Sequence, residues 1–239
     1  MDEGTGEETR DEARDEAHEE TIAAKQRRLF DRGRDTARIE FFSDAVFAIA
    51  LTLLVLDIRV PDVPQGKLLG AVLDLWPTFL AYGLSFAIIA LNWVFHHRKF
   101  RAIVVYDTGL ICLNFVFLAF VALVPFPTSL LSEYAPDRVA VVLYALEVAI
   151  LSLLQAAIWE YAGRRKLLAK DIDPKLFAYD QRDGLAPPIV FLLSIPLAIL
   201  LPDPQWAMWF WVLTWPVSLI VGRLGARARV PVTETEVKE

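Results

Sequence analysis

Residues 38–58 read RIEFFSDAVFAIALTLLVLDI. Arg38, Ser43 and Asp44 stand at the mouth of a run whose apolar part holds one threonine, Thr52, before Asp57 closes it. An ionisable group inside a membrane span costs roughly a few kcal/mol or more unless it is paired. Asp44 therefore needs a partner. Arg38, Ser43, Trp93, His96 and His97 all qualify, and spacing does not choose among them. On a helical wheel at about 100° per residue with Ile49 at zero, Leu53 falls near about 40°, Leu56 near about −20°, Ala45 near about −40° and Thr52 near about −60°. Ser43, at about 120°, and Asp44, at about 220°, point away from that stripe. A stripe of Leu and Ile is either ordinary packing against a neighbour or lipid, or the wall of a narrow pore. Spacing fits both.

Little other chemistry is available. No GxxxxGK[ST], GxSxG or HExxH motif occurs, so the residue patterns of nucleotide hydrolases, serine esterases and zinc proteases are missing. The single cysteine, Cys112, forms no disulfide framework. His96 and His97 are adjacent, which on a helix points them about 100° apart and does not suit chelation of one metal. They read as polar residues at the cytoplasmic interface. The TVGYG loop of carbonyl-cage potassium channels is absent. The chain is expected not to be an enzyme and to need no cofactor.

The elements that hold these residues follow from hydrophobic blocks. Of 239 residues 55% are hydrophobic, and they fall into six segments, about 40–58, 73–95, 102–124, 139–161, 185–201 and 205–222. Each approaches the ~20 residues that cross a bilayer. The fold class is all-α, a polytopic membrane protein with six transmembrane helices. Pro187, Pro188 and Pro196 in the fifth segment, and Pro216 in the sixth, are expected to kink helices rather than break them. Basic residues set the orientation. Lys25 to Arg38 precede the first segment, Arg98, Lys99 and Arg101 follow the second, and Arg164, Arg165, Lys166, Lys170, Lys175 and Arg182 follow the fourth. Arg223, Arg227 and Arg229 follow the sixth, while the alternate connections hold only Arg59, Lys67 and Arg138. Both termini are thus expected in the cytoplasm. Trp76 and Trp206 near outer ends, and Trp93 and Trp159 near inner ends, fit interfacial belts.

Residues 1–20 carry ten acidic and two basic side chains and account for the net charge of −6. Such a block buries too little apolar surface to order itself. The organisation expected is a cytoplasmic tail over 1–37, acidic then basic, a six-span transmembrane domain over 38–223, and a cytoplasmic tail over 224–239.

Arg38, Phe42, Ser43 and Asp44 spell R-x-x-x-F-S-D, followed by A-x-x-x-I-A-x-T-L from Ala45 to Leu53. Trp93, His96 and His97 spell W-x-x-H-H at the end of the second segment. These stretches resemble the signature of the transmembrane protein 175 family, the potassium channels of endosomes and lysosomes, in its bacterial branch. The resemblance implies a cation channel without a TVGYG filter, in which the first span lines a central pore. One FSD motif in the chain implies a homotetramer. It also implies that Ile49 is the constriction, that Thr52 contributes to potassium preference with the ion transiently near it, and that Leu53 and Leu56 form further hydrophobic rings. Arg38, Ser43 and Asp44 would hold span one to the subunit by hydrogen bonds, with Trp93, His96 and His97 in the supporting network. The partners implied are membrane lipids, potassium ions and further copies of the chain, with no nucleic acid. The location implied is the plasma membrane of a bacterium or archaeon.

Four copies of Asp57 would concentrate cations at the outer mouth, although Arg59 offsets this. Asn92, Asp107, Asn114, Glu147 and Gln155 are expected to form interhelical hydrogen bonds. Two competing functions remain: a proton-coupled secondary transporter using Glu147 and Asp107, and a non-conducting scaffold. The chain halves lack the repeated pattern of inverted-repeat transporters, and no helix carries the regular arginines of a voltage sensor.

Overall fold

The computed structural model of the chain describes residues 32–33, 36–64, 66–169 and 186–214. Most of the tail expected over 1–37, the basic residues Lys170, Lys175 and Arg182, residues 215–222 of the sixth segment with Pro216, and the tail over 224–239 lie outside the described residues.

The protein is mostly helical. In chain order the elements are β1 (Arg32–Gly33), α1 (Ala37–Leu53), α2 (Leu68–Asp74), α3 (Trp76–Ala102), β2 (Tyr106–Asp107), α4 (Thr108–Leu123), α5 (Pro125–Tyr134), α6 (Arg138–Arg164), α7 (Ala186–Leu200) and α8 (Gln205–Trp211). A 3-10 turn, Leu54–Asp57, prolongs α1. Among the described residues four helical stretches are long and apolar enough to cross a membrane: Ala37–Asp57, Trp76–Ala102, Thr108–Tyr134 and Arg138–Arg164. Helix α7 has 15 residues, about 22 Å of helix against a hydrocarbon core of ~30 Å. It runs through Pro196 without a break, with Pro187 and Pro188 in its first turn, where a missing N–H costs nothing. Helix α8 has seven residues, so the sixth segment is helical only in part among the described residues.

Two segment boundaries differ from expectation. The second helix begins at Trp76, with Pro77 in its first turn, and continues to Ala102 through HHRKF. Hydropathy ended it early because it registers composition and not packing: His96, Lys99 and Phe100 are buried. Lys99, counted as a loop residue by charge, directs Nζ at the Gln155 carbonyl (3.4 Å) and lies 5.9 Å from the Trp159 ring centre. Trp159 is buried rather than part of an interfacial belt. The third helix begins at Thr108, not 102, because Asp107 caps it by accepting the Leu110 N–H at 2.9 Å. Asp107 therefore stands outside the spans.

Helix α6 is the axis of the subunit. Its buried face includes Ala140, Ala145, Ala149, Ala156 and Ala162, small residues that let neighbouring helices approach closely. One core joins Phe47, Ala50 and Leu54 of α1 to Ile89, Phe117, Leu151 and Ile158. A second joins Val141, Tyr144, Ala145 and Val148 of α6 to Phe191, Ala198 and Trp211. Inside the bundle, Ser85 bridges the Tyr144 hydroxyl at 2.9 Å and the Thr128 hydroxyl at 2.7 Å, tying α3, α5 and α6. Arg138 Nη2 donates to the Leu201 carbonyl at 3.0 Å, just beyond the C-terminus of α7, where a cation suits the helix dipole.

At the end of the bundle where α1 starts, α6 closes with Lys166 in the left-handed region (φ 56°). That turn lets the Leu167 N–H bond back to the Ala162 carbonyl at 2.9 Å. The chain then runs beside the α3–α4 linker, with Val104 N–H to the Leu167 carbonyl and Ala169 N–H to the Ala102 carbonyl, both 3.0 Å. The other side of the system is the antiparallel pair β1–β2, Arg32 opposite Asp107 and Gly33 opposite Tyr106. Gly109 matters here for its lack of a side chain, since a Cβ would fall on the Tyr161 hydroxyl. Gly109→Ala is accordingly expected to destabilise the folded protein by about 1–3 kcal/mol, the usual result of overpacking. Thermal unfolding in detergent checks this, and adding Tyr161→Phe, which removes the clashing oxygen, is expected to restore part of the loss.

Candidate pore-lining helix and its anchors

Helix α1 divides into a polar-anchored inner face and an apolar outer face. Ser43, Phe47, Ala50 and Leu54 are buried. Ala45, Ile49, Thr52, Leu53 and Leu56 are exposed, Ile49 at 58% and Leu56 at 69%. The stripe found on the wheel is thus the face that a single subunit leaves open. Thr52 donates its hydroxyl proton to the Ile49 carbonyl at 2.8 Å, which leaves the oxygen lone pairs available on the exposed side.

Two side-chain hydrogen bonds from neighbouring helices hold the inner face. The Trp93 indole donates to Asp44 Oδ1 at 2.8 Å, so Trp93 is the partner that the aspartate requires. Ser43 donates to the Ile39 carbonyl at 2.8 Å and accepts from Asn114 Nδ2 at 3.0 Å. The Asn114 Oδ1 atom accepts from His96 Nε2 at 2.9 Å, which puts a hydrogen on that ring nitrogen. Ser43, His96 and Asn114 are all buried, so α1, α3 and α4 meet through a chain of direct side-chain hydrogen bonds. The His96 ring stacks on Phe100 (4.2 Å, 20°) and Phe117 (5.5 Å, 6°). His96 is therefore a core residue, correcting its reading as an interfacial one.

His97 points elsewhere, as adjacent positions on a helix must. Its Nδ1 lies 2.9 Å from Glu40 Oε1, and its ring stacks on Trp93 at 5.5 Å. Phe42 meets Phe115 edge-on at 5.4 Å. Arg38 departs from the expectation that it ties α1 down: it is exposed and forms no hydrogen bond or ion pair among the described residues. The reason is angular. Eleven residues before Ile49 (49 − 38) is close to three full turns at about 100° per residue, which puts Arg38 on the open stripe. Asp57 is half-buried, with Oδ2 closed off from solvent, so it does not project freely at the mouth.

Glu40 and Asn114 complete the anchors, and the sequence singled out neither as a partner of its histidine. Glu40 sits one turn before Asp44, a spacing that puts both on one side of a helix. Asn114 was identifiable as an intramembrane polar residue in need of a bond, but its partners come from distant segments.

The other polar residues are placed apart. Gln155 Nε2 donates to the Asn92 carbonyl at 3.2 Å, between helices, whereas among the described residues the Asn92 side chain bonds only its own helix at Ile88 (2.9 Å). Asp107 is buried with the Tyr161 hydroxyl 3.1 Å from each carboxylate oxygen and Arg165 Nε at 3.3 Å from Oδ2. Burial pushes this carboxyl up, but the Leu110 N–H, the Tyr161 hydroxyl and the Arg165 guanidinium outweigh it and hold its pKa below the ordinary carboxylate value. Glu147 is buried on α6, and no hydrogen bond reaches its Oε1. It precedes Tyr161 by 14 residues (161 − 147), about 21 Å along the helix, so Glu147 and Asp107 do not share a site.

The subunit is a bundle of apolar helices, four of them long enough to cross a membrane, whose first member carries an uncovered apolar stripe opposite its polar contacts. The family model for the endosomal/lysosomal potassium channel TMEM175 matches residues 38–125. A protein of Chamaesiphon minutus named as a potassium channel is 42% identical over 146 residues, which cover 58% of this chain and 72% of that protein. The crystal structure of a lysosomal potassium-selective channel TMEM175 homolog from Chamaesiphon minutus aligns with a TM-score of 0.66 at 33% identity, over 78% of this chain and 97% of that one. The endosomal/lysosomal proton channel TMEM175 of Gallus gallus is 35% identical over 134 residues, 26% of its own length. The chain belongs to the TMEM175 family.

Loss of one member of the Ser43–Asn114–His96 chain leaves the others unpaired in a dry interior, at about 1–3 kcal/mol. Asn114→Leu is expected to lower the unfolding temperature in detergent well below that of Asn92→Leu, because Asn92 serves only its own helix. Equal losses for the two variants would remove the network from the account.

Proposed function

We propose that the chain is a cation channel with a modest preference for potassium, formed by four copies around a central pore lined by α1. The observation that carries the reading is the sidedness of α1: Ser43 and Asp44 face partners on neighbouring helices, and Ile49, Thr52, Leu53 and Leu56 face out of the subunit. The relatives named as potassium channels support it. On this reading the subunit has six spans with both termini in the cytoplasm, completed by α7 and the segment that begins with α8, and resides in a bacterial or archaeal plasma membrane.

Four Ile49 side chains close the pore sterically and by dewetting, with Leu53 and Leu56 prolonging the apolar stretch. A small outward displacement of α1 admits water and an ion. Thr52 then presents hydroxyl oxygens whose protons are already committed to the Ile49 carbonyl. Four such oxygens replace part of the hydration shell of potassium. Sodium holds its water more tightly, so the same partial replacement costs it more, and selectivity stays below that of a carbonyl cage. The transporter reading has less support, because Glu147 and Asp107 lie far apart and Asp107 is fully engaged outside the spans.

Flux from potassium-loaded liposomes tests the proposal. Wild type is expected to pass potassium ahead of sodium. Ile49→Asn is expected to leak both faster, and Thr52→Ala to lower the potassium-to-sodium ratio while conduction persists. A folded oligomer that passes no cation in either form would overturn the channel reading.

A further inference from the structure

The chain enters α1 from β1, and residues 34–36 alone separate the two. From Gly33 to Ala37 there are four Cα–Cα steps, which at about 3.3–3.6 Å each reach at most about 14 Å, so the position of β1 limits where the start of α1 can go. β1 is held by its pairing with β2, in which Asp107 stands opposite Arg32. The same Asp107 caps α4 through the Leu110 N–H and receives Tyr161 and Arg165 from α6. One residue thus joins the strand that leads into α1 to the helix with the largest buried face.

The fit around Asp107 is specific. Tyr161 and Arg165 lie one turn apart on α6, so both reach one carboxylate. Tyr161 gets there only because position 109 has no side chain. On the far side the linker that carries Asp107 is fixed to residues 167–169 by backbone hydrogen bonds at 3.0 Å. The half-exposed Arg165 adds little by itself, as exposed ion pairs do. The buried carboxylate and the Tyr161 hydroxyl make the connection.

Outward displacement of α1 requires its first turn to move relative to α3, α4 and α6. We infer that Asp107 is a positioning residue for the gate: its carboxylate, held by Tyr161, fixes the strand that leads into α1 and so sets the balance between the closed and open Ile49 ring. The inference rests on the reading of α1 as the pore wall. Asp107 touches no permeant ion, so unitary conductance and the potassium-to-sodium ratio are untouched by its loss, and the open-to-closed ratio is what changes.

Single-channel recording of the full-length protein in planar bilayers tests this with Asp107→Asn and Tyr161→Phe. Each variant is expected to raise the open-to-closed ratio by about fivefold, the factor equivalent to one ordinary hydrogen bond, at unchanged conductance and selectivity. A merely destabilised protein gives fewer channels, not channels open for longer. If Asp107→Asn fails to assemble, Tyr161→Phe decides alone, since it leaves the carboxylate with its Leu110 and Arg165 partners. An unchanged or lowered ratio in the assembled variants overturns the inference. Ile49→Asn in the same bilayers separates the two levels. If it alters conduction while Tyr161→Phe leaves the ratio as in wild type, only the positioning role falls. If Ile49→Asn changes nothing, the pore reading itself falls.

Discussion

A serine hydroxyl and a carboxylate set within an apolar helix must find partners inside the protein, because the hydrocarbon offers none. For α1 this means that Ser43 and Asp44 turn toward α3 and α4, where Asn114 and Trp93 meet them. Once those two side chains are committed, the rotation of α1 about its axis is fixed. Everything about 180° away from them is then presented outward, and that surface contains Ile49, Thr52 and Leu53. The polar anchors therefore decide the identity of the outer face without touching it. The same logic explains why an apolar span begins with polar residues: they orient the helix and leave the apolar residues beyond them on its open side, the proposed wall of the passage.

The subunit divides its tasks between α1 and α6. Helix α6 is buried on much of its circumference and is packed closely through its alanines. Helix α1 has fewer buried residues, and its inner side is attached by the apolar contacts of Phe47, Ala50 and Leu54 together with discrete polar contacts. Discrete contacts can be broken singly, whereas an alanine-lined helix interface moves only as a whole. The subunit thereby combines a fixed axis with one helix whose smaller apolar contact is supplemented by a few hydrogen bonds. The β1–β2 pair at the end where α1 begins adds a constraint of the same kind.

The architecture was legible in the sequence where composition determines it. The four long helices followed from apolar runs, though the short α2 and α5 did not, and the outward stripe followed from the 100° spacing, because burial on α1 obeys its polar residues. Boundaries were less legible. The run HHRKF looked like a loop by charge, yet it is helical because His96 stacks on Phe100 and Phe117. Asp107 looked intramembrane, yet it caps α4 from outside. Partner identity was the least legible. Asp44 had several candidate partners by spacing, and only the crossing of α1 with α3 selects Trp93. Arg38 shows the opposite failure: its motif suggested an anchor, but its angle on the helix places it with Ile49 on the open side.

The central claim is that the open stripe of α1 faces a water-filled axis and not lipid. Single cysteines at positions 49, 52 and 56, introduced one at a time after Cys112→Ser removes the exposed native thiol, measure this directly. Conduction through each variant is followed as a charged, membrane-impermeant thiol reagent is applied. A pore-lining stripe gives block at positions 52 and 56, with position 49 reacting only while the pore is open, and no block from cysteines at the buried positions 47, 50 and 54. Reaction at 47, 50 or 54 instead, or none at 49, 52 and 56, would contradict the assignment of α1 as the pore wall.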